Sequence, residues 1–225
     1  MSPFLAILSL AATLDPGKTT SWTAAQKDVF DASVTIADLT GTLSGDAVDA
    51  AATSANEKAL ASFIKLARAD AKALGKLTSP YQLITKTESS YNSPRLASLT
   101  TNTYVYTGGA HGNYFFRSYT YGAVEGPLRE LKLADFFAKG SRWTQDLTFA
   151  LLTKLQTRSS VSSIDSGAVR DFKEEDLKTF SVQADGLTFY FDPYVLGSWA
   201  EGPQRVKLSI AELGPNFKKG YLLQR

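Results

Sequence analysis

The chain has 225 residues, 44% of them hydrophobic, and a formal net charge of +2 from 24 basic and 22 acidic side chains. That apolar content supports a sizeable core and excludes a largely disordered chain, while the balanced charge lacks the concentrated cationic face that nucleic acid requires. Cysteine is absent and His111 is the single histidine, which excludes disulfides, thiolate nucleophiles, thiolate zinc sites and iron–sulfur clusters.

Residues 3–13, PFLAILSLAAT, are an apolar run ending in Ser9-Leu10-Ala11, the small-x-small pattern that signal peptidase accepts. The run is shorter than the ~20 residues of a membrane span and lacks a cationic leader. It reads as a clipped export signal, with an apolar first strand or helix as the alternative, so residues 1–25 stand apart as an export signal or a disordered leader. Residues 15–25 are polar. Over 28–41, Val29, Val34, Ile36 and Leu39 alternate with polar residues as in a half-buried strand. A long amphipathic helix follows, with Val48, Ala52, Ala55, Ala59, Phe63, Leu66, Ala67 and Leu74 at steps of three and four. Asp46 is its expected N-cap, Gly75 its C-terminal stop, and Lys65, Arg68 and Lys72 share a solvated face.

Residues 77–89 and 95–106 are rich in Thr, Leu, Ile and Tyr and predict strands split by the turn Asn92-Ser93-Pro94; 114–121 predict another. Residues 131–137 predict a short strand leading into a helical turn. Ser141 is the expected cap of a second helix bearing Trp143, Leu147, Ala150, Leu151 and Leu155, and 171–178 predict a short third one. Strands over 179–184 and 187–191 flank Asp185-Gly186, a hairpin signal, and 204–210 form the last strand. Strands come in consecutive runs, so the expected class is α+β, an antiparallel sheet packed against one long N-terminal helix and one or two further helices. One domain over 26–213 is expected, in halves of about 26–125 and 126–213, with a tail over 214–225.

Two loops attract functional interest. In YTGGAHGN (106–113), Gly108, Gly109 and Gly112-Asn113 can make tight corners around His111, which either presents its ring to a ligand or braces a neighbouring strand through a carbonyl. In FYFDPYVLGSWAEGP (189–203), Tyr194, Trp199 and Glu201 sit on a loop between Gly197 and Gly202, where rigid aromatics either recognise a ligand or plug the core. Tyr104, Tyr106, Phe115, Tyr119 and Tyr121 read mainly as cross-strand core pairs, with an exposed sugar-stacking platform as the alternative. A serine triad would need His111 but finds no Gly-x-Ser-x-Gly elbow, and the glycine pair lacks a phosphate-loop context. Among Glu88, Asp135, Asp192 and Glu201, nothing selects a glycosidase pair. No catalytic residue, metal ligand or cofactor site is therefore assigned.

The runs SYNSPRLASLTTNTYVYTGGAHGNYFFRSYTYG, LRELKLADFF and ADGLTFYFDPYVLGSWAEGPQRVKLSIAEL resemble a bacterial extracytoplasmic family of largely unknown function. Its architecture recurs in the lysozyme-sensing ectodomain of an anti-sigma factor and beside the catalytic domain of a peptidoglycan deacetylase. The resemblance spans about Val29 to Leu213 and implies an extracytoplasmic, non-enzymatic binding or sensing domain of the cell envelope. Its expected ligand is a protein of the lysozyme kind or a glycan; the resemblance carries over no contact residue, and the two loops themselves nominate Gly108, Gly109, His111, Asn113, Tyr194, Trp199 and Glu201 as the binding residues if they sit at the same end of the sheet. Any membrane contact would run only through an N-terminal anchor. The alternative is an envelope hydrolase pairing His111 with a carboxylate.

Overall fold

A computed structural model describes residues 19–157 and 161–223. The apolar run at 3–13 lies outside the described residues. The described residues begin with strand β1 (Thr19–Gln26), a polar stretch that belongs to the folded sheet and not, as the sequence reading had it, to a leader ending at residue 25. It is an edge strand that buries Trp22 and Ala24 and leaves its other side wet, so its apolar signal is only two residues strong. A tight turn with Asp28 at φ 60° leads into β2 (Phe30–Ala37), whose inward residues Phe30, Ala32, Val34 and Ile36 alternate with outward polar ones.

Helix α1 (Leu43–Leu74) then carries the chain back across the sheet to β3 (Tyr81–Ser93), so β2 and β3 pair in parallel inside an otherwise antiparallel sheet. The helix begins one turn earlier than the sequence predicts. Thr42 is the N-cap, its hydroxyl accepting from Gly45 N at 2.9 Å, while Asp46 falls in the first turn and accepts from Gly41 N. The buried stripe is Val48, Ala52, Asn56, Leu60, Phe63, Ile64 and Ala67. Ala59, Leu66 and Leu74 are exposed, because the true stripe is shifted by about one position around the cylinder. Asn56 is tolerated inside it because its amide donates to Ala52 O.

Strands β3, β4 (Leu96–Tyr106), β5 (Asn113–Gly122) and β6 (Arg129–Glu130) complete a six-stranded sheet in sequence order. Leu83, Ala97 and Leu99 pack on α1 with the β2 residues. The opposite face of β4 and β5 receives a second sheet, β7 (Phe180–Gln183), β8 (Gly186–Phe191) and β9 (Gln204–Ser209). The junction is partly polar: Ser98 Oγ accepts from Val182 N at 3.1 Å, and Ser118 Oγ accepts from Phe180 N at 3.1 Å. On its far side the small sheet packs Leu187, Phe189, Val206 and Leu208 into a core with Leu147, Leu151 and Leu155 of α2 (Trp143–Gln156). The layers thus run helix, large sheet, small sheet, helix, and β8 is buried on both faces. This is the expected α+β class.

Local details differ from the sequence reading. Arg142, not Ser141, precedes α2, and no side chain caps it. The β7–β8 turn is Ala184-Asp185, with Gly186 already paired to Gln183. The third helical segment is a 3-10 turn, Glu174–Leu177, and a short helix α3 (Ser162–Asp165) goes unannounced. Beyond Leu213, where the sequence suggests a tail, Phe217, Tyr221 and Leu222 are buried in the C-terminal core and Phe217 bridges Phe137. No helix among the described residues is long and apolar enough to cross a membrane.

Candidate functional site

The small sheet covers only part of the large one. On the face that it meets, successive cross-strand rows of β3, β4 and β5 carry Glu88–Thr100–Ser118, then Lys86–Asn102–Phe116, then Ile84–Tyr104–Tyr114. Cover ends near the middle row, where Arg205 of β9 lies over the Phe116 ring at 5.2 Å and pairs with Glu88 at 3.2 Å. Beyond it the face is open, and Ile84 is 40% exposed there. A cleft of about 490 Å³ occupies this end, floored by Ile84, Lys86, Asn102, Tyr104 and Tyr114 and walled by His111, Gly112 and Trp199.

The wall is where the two loops meet. The His111 and Trp199 rings stack at 4.1 Å with 23° between their planes. Both report to one acceptor: the Trp199 indole Nε1–H donates to Gly112 O at 3.0 Å, and His111 Nδ1 lies 2.9 Å from the same oxygen. A ring nitrogen facing a carbonyl must carry a proton, so Nδ1 donates to Gly112 O. His111 therefore braces the partner loop and shares the wall of the cleft. Gly112 has to be glycine, because a Cβ there would stand 2.4 Å from the Tyr104 ring. That ring in turn sits 5.1 Å from Tyr114, an aromatic pair on the floor.

Loop 192–203 is tethered at both ends. Asp192 Oδ1 accepts from Phe116 N at 2.8 Å, and burial holds its carboxyl above the usual carboxylate range. Further along, Leu196 is buried and its carbonyl accepts from the Ser163 hydroxyl. Ser198 and Glu201 form a capping box around the 3-10 turn Trp199–Glu201, the turn that aims Trp199. Glu201 accepts from the amides and hydroxyls of both Ser162 and Ser198 at 2.8–2.9 Å, and those hydrogen bonds pull its pKa down to about 2. Gly197 leaves it room, since a Cβ there would meet Glu201 Oε2 at 2.2 Å.

The seven residues named from sequence thus separate. His111 and Trp199 meet and line the cleft. Gly108 and Gly109, at φ 94° and 92°, shape the hairpin, and Asn113 Oδ1 accepts from Tyr114 N. Glu201 is spent on Ser198 of its own loop and on Ser162 of α3. Tyr194, at φ 71° and 61% exposed, lies outside the cleft lining. The sequence reading missed Ile84, Lys86, Asn102 and Tyr114, and took Tyr104 mainly as a core residue, with the exposed platform that it turns out to join as the alternative. The usable signal was the alternation of β3 and β4, which puts Ile84, Lys86, Asn102 and Tyr104 on one face. No carboxylate lines the cleft, and among the described residues no three His, Asp or Glu side chains gather as a metal site would require.

Residues 23–114 match the family model described as Deacetylase PdaC, and residues 134–211 match that of a protein family of unknown function, DUF3298. Both agree with the family resemblance of the sequence. No curated protein matches the chain. Among solved structures, a DUF3298 family member from Bacteroides fragilis NCTC 9343 is similar at 18% identity and a TM-score of 0.60, over 93% of this chain and 96% of that one. A DUF3298 family protein from Pseudomonas aeruginosa PAO1 is similar at 15% identity and 0.56, over 90% and 96%. At such identities the likeness establishes the shared fold.

Proposed function

We propose that this chain, PdaC-like over 23–114 and DUF3298-like over 134–211, is an exported, non-enzymatic binding domain of the cell envelope that holds a glycan in the aromatic cleft. The observation that carries this reading is the His111–Trp199 stack standing over the Tyr104–Tyr114 pair on the uncovered end of the sheet. A sugar ring has apolar C–H faces and a polar rim. Flat aromatic surfaces beside an amide and an ammonium group complement both. The wall is preorganised, because the Gly112 carbonyl and the Glu201 clamp hold it without ligand, so little ordering entropy opposes binding. The apolar run at 3–13 and the family resemblance support an extracytoplasmic location.

The hydrolase alternative needs a carboxylate beside His111 or a pair of carboxylates across a sugar. The cleft lining offers neither. A protein ligand is the second reading, favoured by Tyr194 and Val195, adjacent on the same loop and 61% and 46% exposed. Calorimetric titration of the protein with an N-acetylglucosamine tetramer and, separately, with lysozyme distinguishes the two. Glycan binding that Trp199→Ala abolishes and Tyr194→Ala spares supports the cleft. Lysozyme binding that depends on Tyr194, with no glycan bound, replaces it by the protein reading.

A further inference from the structure

Resting on the glycan reading, we infer that the cleft selects a sugar bearing a carboxylate, read by Lys86 and Asn102. These two residues are direct cross-strand partners in the β3–β4 register, on the open face and in the row next to Ile84–Tyr104–Tyr114. Lys86 is exposed and makes no ion pair among the described residues. Asn102 lines the cleft beside it; its Oδ1 is buried without a hydrogen-bond partner, and the same amide carries the two N–H donors of Nδ2.

Two donors thus stand side by side, and the cleft contains no acid to receive them. The next acid along that face of β3, Glu88, is taken by Arg205 at 3.2 Å. A cation and an amide N–H beside an aromatic wall match the two oxygens of a carboxylate attached to a ring that stacks on that wall. A neutral sugar would satisfy the aromatic surfaces and leave Lys86 solvated. The carboxylate therefore adds selectivity for the acidic sugar over its neutral form, and the stack supplies affinity for both.

The test is calorimetric titration of the full chain with tetragalacturonate, sialyllactose and a muramic-acid disaccharide, each as free acid and as methyl ester, alongside the neutral N-acetylglucosamine tetramer. At least one free acid should bind about three- to ten-fold tighter than its own ester, with the difference shrinking as salt rises. Lys86→Met should erase that difference while leaving ester affinity in place, and Lys86→Arg should keep it. Trp199→Ala should weaken acid and ester alike. Equal binding of every acid and ester overturns the inference and leaves the glycan reading standing. Failure of all these sugars to bind overturns both, and circular dichroism of each variant confirms that it is folded.

Discussion

One face of the large sheet is treated in opposite ways at its two ends. At the covered end, Leu96 joins the C-terminal core, Ser98 and Thr120 share a 2.9 Å hydrogen bond, and Ser98 and Ser118 accept from the small sheet's backbone. At the open end the same alternation exposes Ile84 and Lys86 and half-exposes Tyr104 and Tyr114. The covered end pairs Ser98, Ser118 and Thr120 within the junction, whereas at the open end Lys86 makes no ion pair among the described residues. A sheet face that ordinary packing could have hidden, but that two tethered loops instead wall off, marks where the molecule meets something else.

The comparison breaks most violently in the covered region. Leu151→Ala removes a fully buried side chain between α2 and the small sheet and should cost about 2–5 kcal/mol of stability in denaturant unfolding, with glycan affinity of the folded protein unchanged. Gly112→Ala acts at the boundary: the new methyl collides with Tyr104, so about 1–3 kcal/mol of stability should be lost together with binding. Trp199→Ala sharpens the contrast. It should reduce glycan affinity at least about ten-fold in calorimetry while changing stability less than Leu151→Ala does.

Smaller still is the effect of acid on the loop. Glu201 is held from its ordinary 4.5 down to about 2 by the Ser162 and Ser198 hydrogen bonds. Its contribution is complete above about pH 4.5 and is lost as the pH falls through about 2. Hydrogen exchange at the Ser198 and Ser162 amides, corrected for intrinsic rates, should quicken across that window, and Glu201→Gln should show the quickening already at neutral pH. Least of all, Tyr194→Ala should move both stability and glycan affinity by no more than about 0.5 kcal/mol, since the side chain is largely solvated and away from the cleft.

What could be read in advance follows the same divide. Helix α1 and strands β3–β5 were legible because burial of one face leaves a period in the residues. The two loops were legible because glycines around a histidine and a tryptophan are costly choices for a mere connection. Strand β1 was hidden by being an edge with two inward residues, Trp22 and Ala24. Lys86 and Asn102 were hidden for another reason. Their exposure depends on where β7–β9 stop covering the sheet, a long-range fact that no local pattern encodes. Tyr104 looks like core in any window of sequence and becomes cleft floor only because the second sheet ends before reaching it.

The central claim, that the His111–Trp199 wall is a glycan-binding surface, is tested most directly by the indole N–H resonances during titration with the acidic and neutral sugars. Trp199→Phe assigns its signal against Trp22 and Trp143, which pack in the N-terminal core and against the C-terminal core. A saturable shift of the Trp199 resonance with the other two unmoved is the predicted result. A Trp199 signal that stays fixed at saturating sugar, or that shifts only when lysozyme is added, contradicts it.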